Sequence, residues 1–369
     1  MRVRLGDYIK EYSVKNKNNE DIPVYSVSNS LGFCKDYFGK EVASKNKTTY
    51  KIVPRGCFAY NPSRINVGSV DWQNEEERVI VSPLYNVFSV SPLLDQQYLL
   101  YYLKSNVTLS RIRAVASGSV RDNLKLSMLY EFPIDLISLD QQYDVVSTLN
   151  AVQKIIDLYQ KGLSYLDELV RARFVEMFGD ENNSKGWEIV NIEDVANVQV
   201  GVVIKPSQYY TDQYNGIKAF RSLNIGDGYI KDDDWVYFSK EGNKKNKKSI
   251  LSTNDVLVVR SGAPGTACVV TSEYAGSNAI DVIIAHPDFQ KVDSHYLCTY
   301  TNMPHGKSQI IEGTGGAAQQ HFNVGKYNKL KLMLPPLEYQ KQYVKFLEEI
   351  DKSRLLSNHS LFLIKSIIF

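Results

Sequence analysis

The chain has 369 residues, 43% hydrophobic and 23% charged, enough material for two or three domains that each bury a core. No apolar run approaches the ~18 residues needed to cross a bilayer, which excludes a helical membrane protein, and no membrane partner is expected. A formal net charge of +2 excludes the uniform basicity that marks many nucleic-acid binders, so any DNA contact must rest on local basic clusters.

The first residues, Met1, Arg2, Val3, Arg4, Leu5, Gly6 and Asp7, do not follow the charged-then-apolar order of a secretion signal, and a cytoplasmic location is expected. Residues 1 to about 135 are rich in Tyr, Val, Ser, Asn and Gly. Alternating stretches at Ile52 to Tyr60 and Val79 to Val90 predict strands, and a short helix is predicted over Gln96 to Lys104. Lys40, Lys45, Lys47 and Lys51 fall in one short stretch of this region. From Val145 the apolar positions run Leu149, Val152, Ile156, Tyr159, Leu163, Leu166 and Val170, skip at Arg173 and resume at Met177, before a stop at Gly179. Steps of four and three held that long describe the seam of a coiled coil.

The pattern then starts again. Residues 186 to about 333 have the same composition, with strands predicted at Ile250 to Arg260 and Ala279 to Ala285 and a short helix at His295 to Thr301. A second lysine run, Lys244, Lys245, Lys247 and Lys248, precedes them; a bare lysine run reads first as a solvated loop. Pro335 and Pro336 open a second long helix whose frame is Tyr343, Leu347, Ile350, Arg354, Ser357, Leu361, Ile364 and Ile368, apolar except for a polar gap at its middle. The four cysteines, Cys34, Cys57, Cys268 and Cys298, contain no Cys-x-x-Cys pair, so no zinc module or disulfide framework is expected and they read as small buried hydrophobes.

An internal repeat ties the halves together. Ser117, Gly118, Arg121, Asp122, Asn123, Leu124, Leu136, Leu139, Asp140 and Gln142 have counterparts 198 residues on: Gly315, Gly316, Gln319, Gln320, His321, Phe322, Leu334, Leu337, Glu338 and Gln340. The expected fold is therefore α+β, two pseudo-repeated domains over 1–138 and 181–334 with long helices over 139–180 and 335–369 forming an antiparallel coiled coil.

The order domain, helix, domain, helix resembles the specificity subunit of type I restriction-modification systems. The first helix ends Leu166, Asp167, Glu168, Leu169, Val170, Arg171, Ala172, Arg173, Phe174, Val175, Glu176, Met177, Phe178, Gly179, Asp180, and the second opens Leu334, Pro335, Pro336, Leu337, Glu338, Tyr339, Gln340; both are similar to that family's wording. The resemblance implies two target recognition domains, each reading one half of a split site in double-stranded DNA. It also implies helices that act as spacer, two methyltransferase subunits docked on them, and restriction motor subunits that join further out. One departure is that Phe369 corresponds to Arg171, so the second helix carries no counterpart of Phe174 to Gly179; the apolar Ile367, Ile368 and Phe369 are expected to pack on a partner or to mark a shortened end. About 35 helical residues rise roughly 50 Å, about 15 base pairs of DNA at most.

Base reading needs hydrogen-bonding side chains on loops that fit a groove. The candidates are Asn61, Ser63, Arg64 and Asn66 after the strand ending near Tyr60, Arg121 and Asn123 after Gly118, Arg260 and Ser261 before Gly262, and Gln319, Gln320 and His321 after Gly316. The competing reading is that these residues satisfy their own turns. Lys45, Lys47, Lys244, Lys245 and Lys247 are the candidate phosphate contacts, positioning the protein without choosing sequence.

No catalytic constellation competes. Asn61, Pro62, Ser63 lacks the second proline and aromatic of an adenine methyltransferase Asn-Pro-Pro-Tyr site, Pro287 and Asp288 lack the Glu-x-Lys of a nuclease, and Gly313, Thr314, Gly315, Gly316 lack a Gly-Lys-Ser/Thr ending. His286, His295, His305, His321 and His359 are too scattered for a metal cluster, and all but His321 read as structural. A non-catalytic subunit without cofactor or metal is expected. The alternatives are the specificity subunit of a related bipartite-site methyltransferase-nuclease (type IIB or IIG-like) and a coiled-coil adaptor that binds protein only.

Overall fold

The computed structural model describes residues 1–35, 46–116, 123–314 and 322–368, with the side chains of 313, 314 and 366–368 outside the description. Two compact units emerge: Met1–Gln160 with Ser360–Phe369, and Lys161–His359. In chain order the helices are α1 (Gln96–Lys104), α2 (Asn106–Ala116), α3 (Leu126–Leu129), α4 (Leu139–Phe178), α5 (Lys240–Lys245), α6 (Ser294–Asn302), α7 (Pro304–Thr314), α8 (Val324–Asn328) and α9 (Leu337–Ile368).

The first unit is built on an antiparallel sheet in the spatial order Ile9–Glu11, Asn86–Val90, Phe58–Tyr60, Val70–Trp72. The central strand is buried on both faces. Phe58 and Tyr60 point into one cluster with Phe88, Leu99, Leu103 and Ile112, while Cys57 and Ala59 point into another with Val53, Val79, Val81 and Val87. That alternation is the period of two that a strand imposes, and each large side chain so buried contributes about 1.5–3 kcal/mol. The stretches expected as continuous strands are each broken in two. Lys51–Pro54 pairs with Arg78–Val81 apart from the main sheet, and Gly56, at φ +85, turns the chain between Pro54 and Phe58. A positive φ is open to glycine at little cost, and the alternating hydrophobics on either side hide the turn.

The second unit repeats the sheet in the same order: Ala196–Val200, Val282–Pro287, Val256–Val259, Ala267–Val269. Here too the central strand is buried on both faces, with Val256 and Val258 in one cluster and Leu257 and Val259 in the other. The expected Ala279 to Ala285 strand is split by Asp281, at φ +50, so that Asn278–Ala279 joins a further small sheet with Ile217–Phe220. The short helix expected at His295 to Thr301 lies within α6.

The long helices carry the predicted frame. Along α4, Leu149, Val152, Ile156, Tyr159, Leu163, Leu166 and Val170 are half-buried or buried and every residue between them is exposed, while Val145 is 37% exposed. On α9, Leu347, Ile350, Leu361 and Ile364 are likewise half-buried or buried, and the Ile368 side chain lies outside the described residues. Within the second unit the two helices run antiparallel: Arg354 Nη2 donates to Asp167 Oδ1 at 2.6 Å, and Tyr343, eleven residues earlier, donates its hydroxyl to the Val170 carbonyl and meets the rings of Phe174 and Phe178. Arg354 is the polar gap in the second seam, and its pairing with Asp167 and Asp351 explains how a charge is tolerated there.

Each globular half is fastened to its long helix by one buried glutamine. Gln142 Oε1 accepts from the Asp95 amide while Nε2 donates to the carbonyls of Leu93 and Ile137. Gln340, 198 residues on, makes the same three bonds to Asp293, Lys291 and Pro335. Both glutamines are 0% exposed. Asp95 and Asp293 are the N-caps of α1 and α6, so each glutamine locks a long helix to the start of a short one.

Candidate nucleic-acid interface

A backbone stitch recurs in the two halves and joins the described residues that flank the candidate stretches. In the first half Leu124 N–H donates to the Pro62 carbonyl at 3.1 Å, which sets residue 123 beside the 61–66 loop. In the second half Phe322 N–H donates to the Arg260 carbonyl, also at 3.1 Å and at the same offset. The buried Tyr60 hydroxyl donates to the Leu124 carbonyl, and burial holds its phenol above the ordinary range. Leu124 and Phe322 are thus each held at the end of a central strand, beside Pro62 and Arg260.

Within the first pair the side chains divide by role. Asn61 Oδ1 accepts from the Ser63 amide and hydroxyl, and the Asn61 carbonyl accepts from the amides of Arg64 and Ile65. This Asx turn fixes the loop, so Asn61 and Ser63 are largely engaged in their own turn. The turn ends on Ile65, fully buried, and Gly68, at φ +90. The Arg64 side chain is exposed and has no hydrogen-bond or ion-pair partner among the described residues. Asn66 is half-buried, and its carbonyl accepts from Arg113 Nε at 3.2 Å. Asn123 is half-buried and Arg121 lies outside the described residues.

In the second half the expectation for Arg260 needs correcting. Its side chain is only 14% exposed: Nη1 pairs with Asp281 Oδ1 at 2.5 Å and Nε donates to the Phe322 carbonyl at 3.1 Å. Reaching a base edge would break a partly buried ion pair, so in this geometry Arg260 pins the root of the loop. Ser261 is half-buried beside it, and Gln319, Gln320 and His321 lie outside the described residues. Asp281 was not singled out from the sequence; its partner is 21 residues away and no local pattern joins them.

Among the candidate phosphate contacts, Lys45 lies outside the described residues. Lys47 is less available than expected, since its Nζ faces Asp21 Oδ1 at 3.8 Å and its amide donates to Asn19. Lys244 and Lys247 are exposed, and Lys245 makes a one-turn pair with Glu241, weak in water. A buried amide cluster anchors this lysine-bearing turn. Asn278 Nδ2 donates to Asn243 Oδ1, Ser249 donates to Asn278 Oδ1, and Asn246 Nδ2 donates to the Gly242 carbonyl.

Two of the described histidines are structural: His286 Nδ1 bonds Asp255 and its Nε2 meets Gln199, while the buried His305 donates from Nε2 to the Gly179 carbonyl. Cys57, Cys268 and Cys298 are buried and Cys34 is half-buried.

The model of the type I restriction modification DNA specificity domain matches residues 4–166 and again 184–364. The chain is 21% identical over 375 residues to the MjaVIII type I restriction enzyme specificity subunit of Methanocaldococcus jannaschii, covering 95% of this chain and 85% of that one. It is 20% identical over 382 residues to the StySPI specificity subunit of Salmonella potsdam, covering 94% and 79%. In fold it is similar to a chain solved in work on complex assembly and conformational transition of the type I R-M system (TM-score 0.65, 14% identity, 100% and 95% covered). It is also similar to the type I restriction-modification S subunit from M. genitalium (TM-score 0.52, 13% identity, 100% and 93% covered). Two matched domains, each with its stitched loop pair and its clamped long helix, make this chain a member of the type I restriction-modification DNA specificity family.

Proposed function

We propose that this chain is the DNA-reading, non-catalytic subunit of a cytoplasmic type I restriction-modification complex. Target recognition domains over 1–138 and 181–334 each read one half of a split site in double-stranded DNA, and the helices over 139–180 and 335–369 set the gap and carry two methyltransferase subunits. Restriction subunits join through those. The observation that carries this reading is the duplicated stitch, Leu124 to Pro62 and Phe322 to Arg260, which holds the chain against the end of the equivalent central strand in each half. Arg64, whose exposed side chain has no partner among the described residues, is suited to a guanine edge. Lys244, Lys245 and Lys247, on a turn anchored from beneath, are suited to phosphates.

Single-molecule methylome sequencing of a host carrying the chain with its methyltransferase tests this. A split motif with a modified base in each half is expected, Arg64→Ala should relax or abolish one half, and Lys245→Ala should weaken all sequences alike. A continuous motif, or equal effects of both variants on specificity, would overturn the reading. Gel-shift binding that ignores DNA sequence would favour the protein-only adaptor.

A further inference from the structure

All five histidines lie in the second half, and one of them stands where its proton decides a tertiary contact. His286, 29% exposed, is on the strand Val282–Pro287. Its Nδ1 lies 2.6 Å from Oδ1 of Asp255, a side chain 4% exposed whose Oδ2 accepts from the Ser252 amide at 2.7 Å. Its Nε2 lies 2.7 Å from Gln199 Nε2 on the neighbouring strand Ala196–Val200. The same Gln199 nitrogen donates to the Lys248 carbonyl, in the turn that carries Lys244, Lys245, Lys247 and Lys248.

This chain of contacts fixes every proton in it. A backbone carbonyl can only accept, so Gln199 turns its NH2 toward Lys248, and His286 Nε2, facing that same NH2, is the bare accepting nitrogen. The imidazole proton is therefore on Nδ1 and is donated to the Asp255 carboxylate. All these groups are satisfied while His286 is neutral. A second proton, on Nε2, sets N–H against N–H. With the amide where it is, a flip that points the Gln199 oxygen at the imidazolium puts that oxygen against the Lys248 carbonyl, and a Gln199 that swings away loses the carbonyl altogether. Either response breaks the bond to Lys248.

We propose that Gln199 is a positioning residue for the lysine-bearing turn and that His286 sets it: neutral His286 keeps the turn tied through the Lys248 carbonyl, and protonated His286 releases it. The consequence for DNA rests on the phosphate role proposed above for that turn. Asp255 faces His286 from the lead into the strand Val256–Val259, and Lys248 reaches it through Gln199. The strand Ala196–Val200 offers the uncharged Asn197 and Gln199, and Asp288, just beyond the histidine's own strand, is paired with Lys291. The device belongs to one half. The pairings of Val256 with Ala285 and of Phe58 with Phe88 put Cys57 and Ser89 where the second half has Asp255 and His286, and the Ser89 hydroxyl donates to the Lys10 carbonyl at 3.3 Å. A histidine changes charge between about pH 5 and 8, so pH in that range acts on the second half and not through the matching place in the first.

Amide hydrogen exchange of the full-length chain, followed by mass spectrometry from about pH 5.5 to 8.5 and corrected for intrinsic rates, reads the tether. Protection over residues 246–250 is expected to fall roughly threefold or more between the high and the low end, the weight of one hydrogen bond. His286→Gln should hold protection flat across the range, and Gln199→Leu should keep it low throughout. Wild-type protection that ignores pH overturns the proposal, as does a pH response that survives in His286→Gln. The wild-type profile needs no variant, so the test stands even where circular dichroism shows that a variant has misfolded. Duplex binding by the full-length chain, read by anisotropy over the same range, separates the tether from the DNA reading. Wild type is expected to lose about threefold in affinity relative to His286→Gln as pH falls. Exchange that responds while this ratio stays constant would keep the tether and overturn the phosphate role of the turn.

Discussion

Replacing Gln340 by leucine tests the helix clamp directly. The side chain is 0% exposed, its Oε1 accepts from the Asp293 amide at 2.8 Å, and its Nε2 donates to the Pro335 carbonyl at 2.8 Å and the Lys291 carbonyl at 3.2 Å. Leucine fills a similar volume but leaves all three backbone groups without a partner. At about 1–3 kcal/mol for each orphaned buried group, and less for the longer bond, the expected loss is about 4 kcal/mol. For a unit of this size that lowers its thermal midpoint by roughly 8–16 °C. Differential scanning calorimetry should show the loss in one transition, with Gln142→Leu acting on the other, because the two glutamines belong to different compact units. Gln340→Glu sharpens the test: a carboxylate facing two carbonyls can donate to neither, and its folded pKa must rise. Stability of that variant is then greatest below the ordinary glutamate range of about 4.3 and is lost as pH rises through the folded value. A loss below about 1 kcal/mol for Gln340→Leu, or a glutamate variant indifferent to pH, would refute the clamp.

Phe174→Ala should cost about 3–5 kcal/mol, because the ring is fully buried among Phe178, Tyr296, Tyr300 and Tyr343, whereas Arg354→Ala should cost about 1 kcal/mol, since Arg354 is only half-buried and its partner Asp167 is exposed to water; urea midpoints compare them. Asp281→Asn removes the charge that holds Arg260 at the loop root, and methylome sequencing should find one half-site relaxed while the other keeps its sequence. Burial raises Asp71 above the usual carboxylate range even though the amides of Phe33 and Trp72 bond to it. Its contribution to stability is therefore full below the unfolded value and falls as pH rises through the folded one, so Asp71→Asn should flatten urea midpoints from about pH 4 upward. Burial pushes the Cys268 thiol up to about 12 and raises Cys57 and Cys298 as well, so a thiol reagent at pH 8 should label only Cys34 in the folded chain and all four cysteines after denaturation.

The long helices were legible because their signal is local: a step of three or four repeated from Leu149 to Val170 needs no knowledge of a partner. The same arithmetic flagged Arg354 as a gap but could not say what filled it, since Asp167 is 187 residues away. Strand limits were misread where one residue at positive φ, Gly56 or Asp281, turns a chain whose hydrophobic alternation continues on both sides. Gln142 and Gln340 were visible as repeat partners, yet their bonds reach back 47 and 49 residues to Asp95, Leu93, Asp293 and Lys291, which no spacing rule encodes. The stretch after Tyr60 was legible as a turn because Asn61, Pro62 and Ser63 follow an alternating apolar run. Which side chains stay free was not readable, because the partners that engage Arg260 and Lys47, Asp281 and Asp21, are brought in by tertiary structure alone.

The paired glutamine clamps also have a mechanical consequence. A side chain that bonds the start of a long helix to the cap of a short one, with all its donors and acceptors engaged, leaves no slack at that joint. Each globular half and the opening turns of its helix then behave as one lever. A tilt of those opening turns then carries the strand ends of the same half with it, and a shift of ~3 Å there is a whole base-pair step.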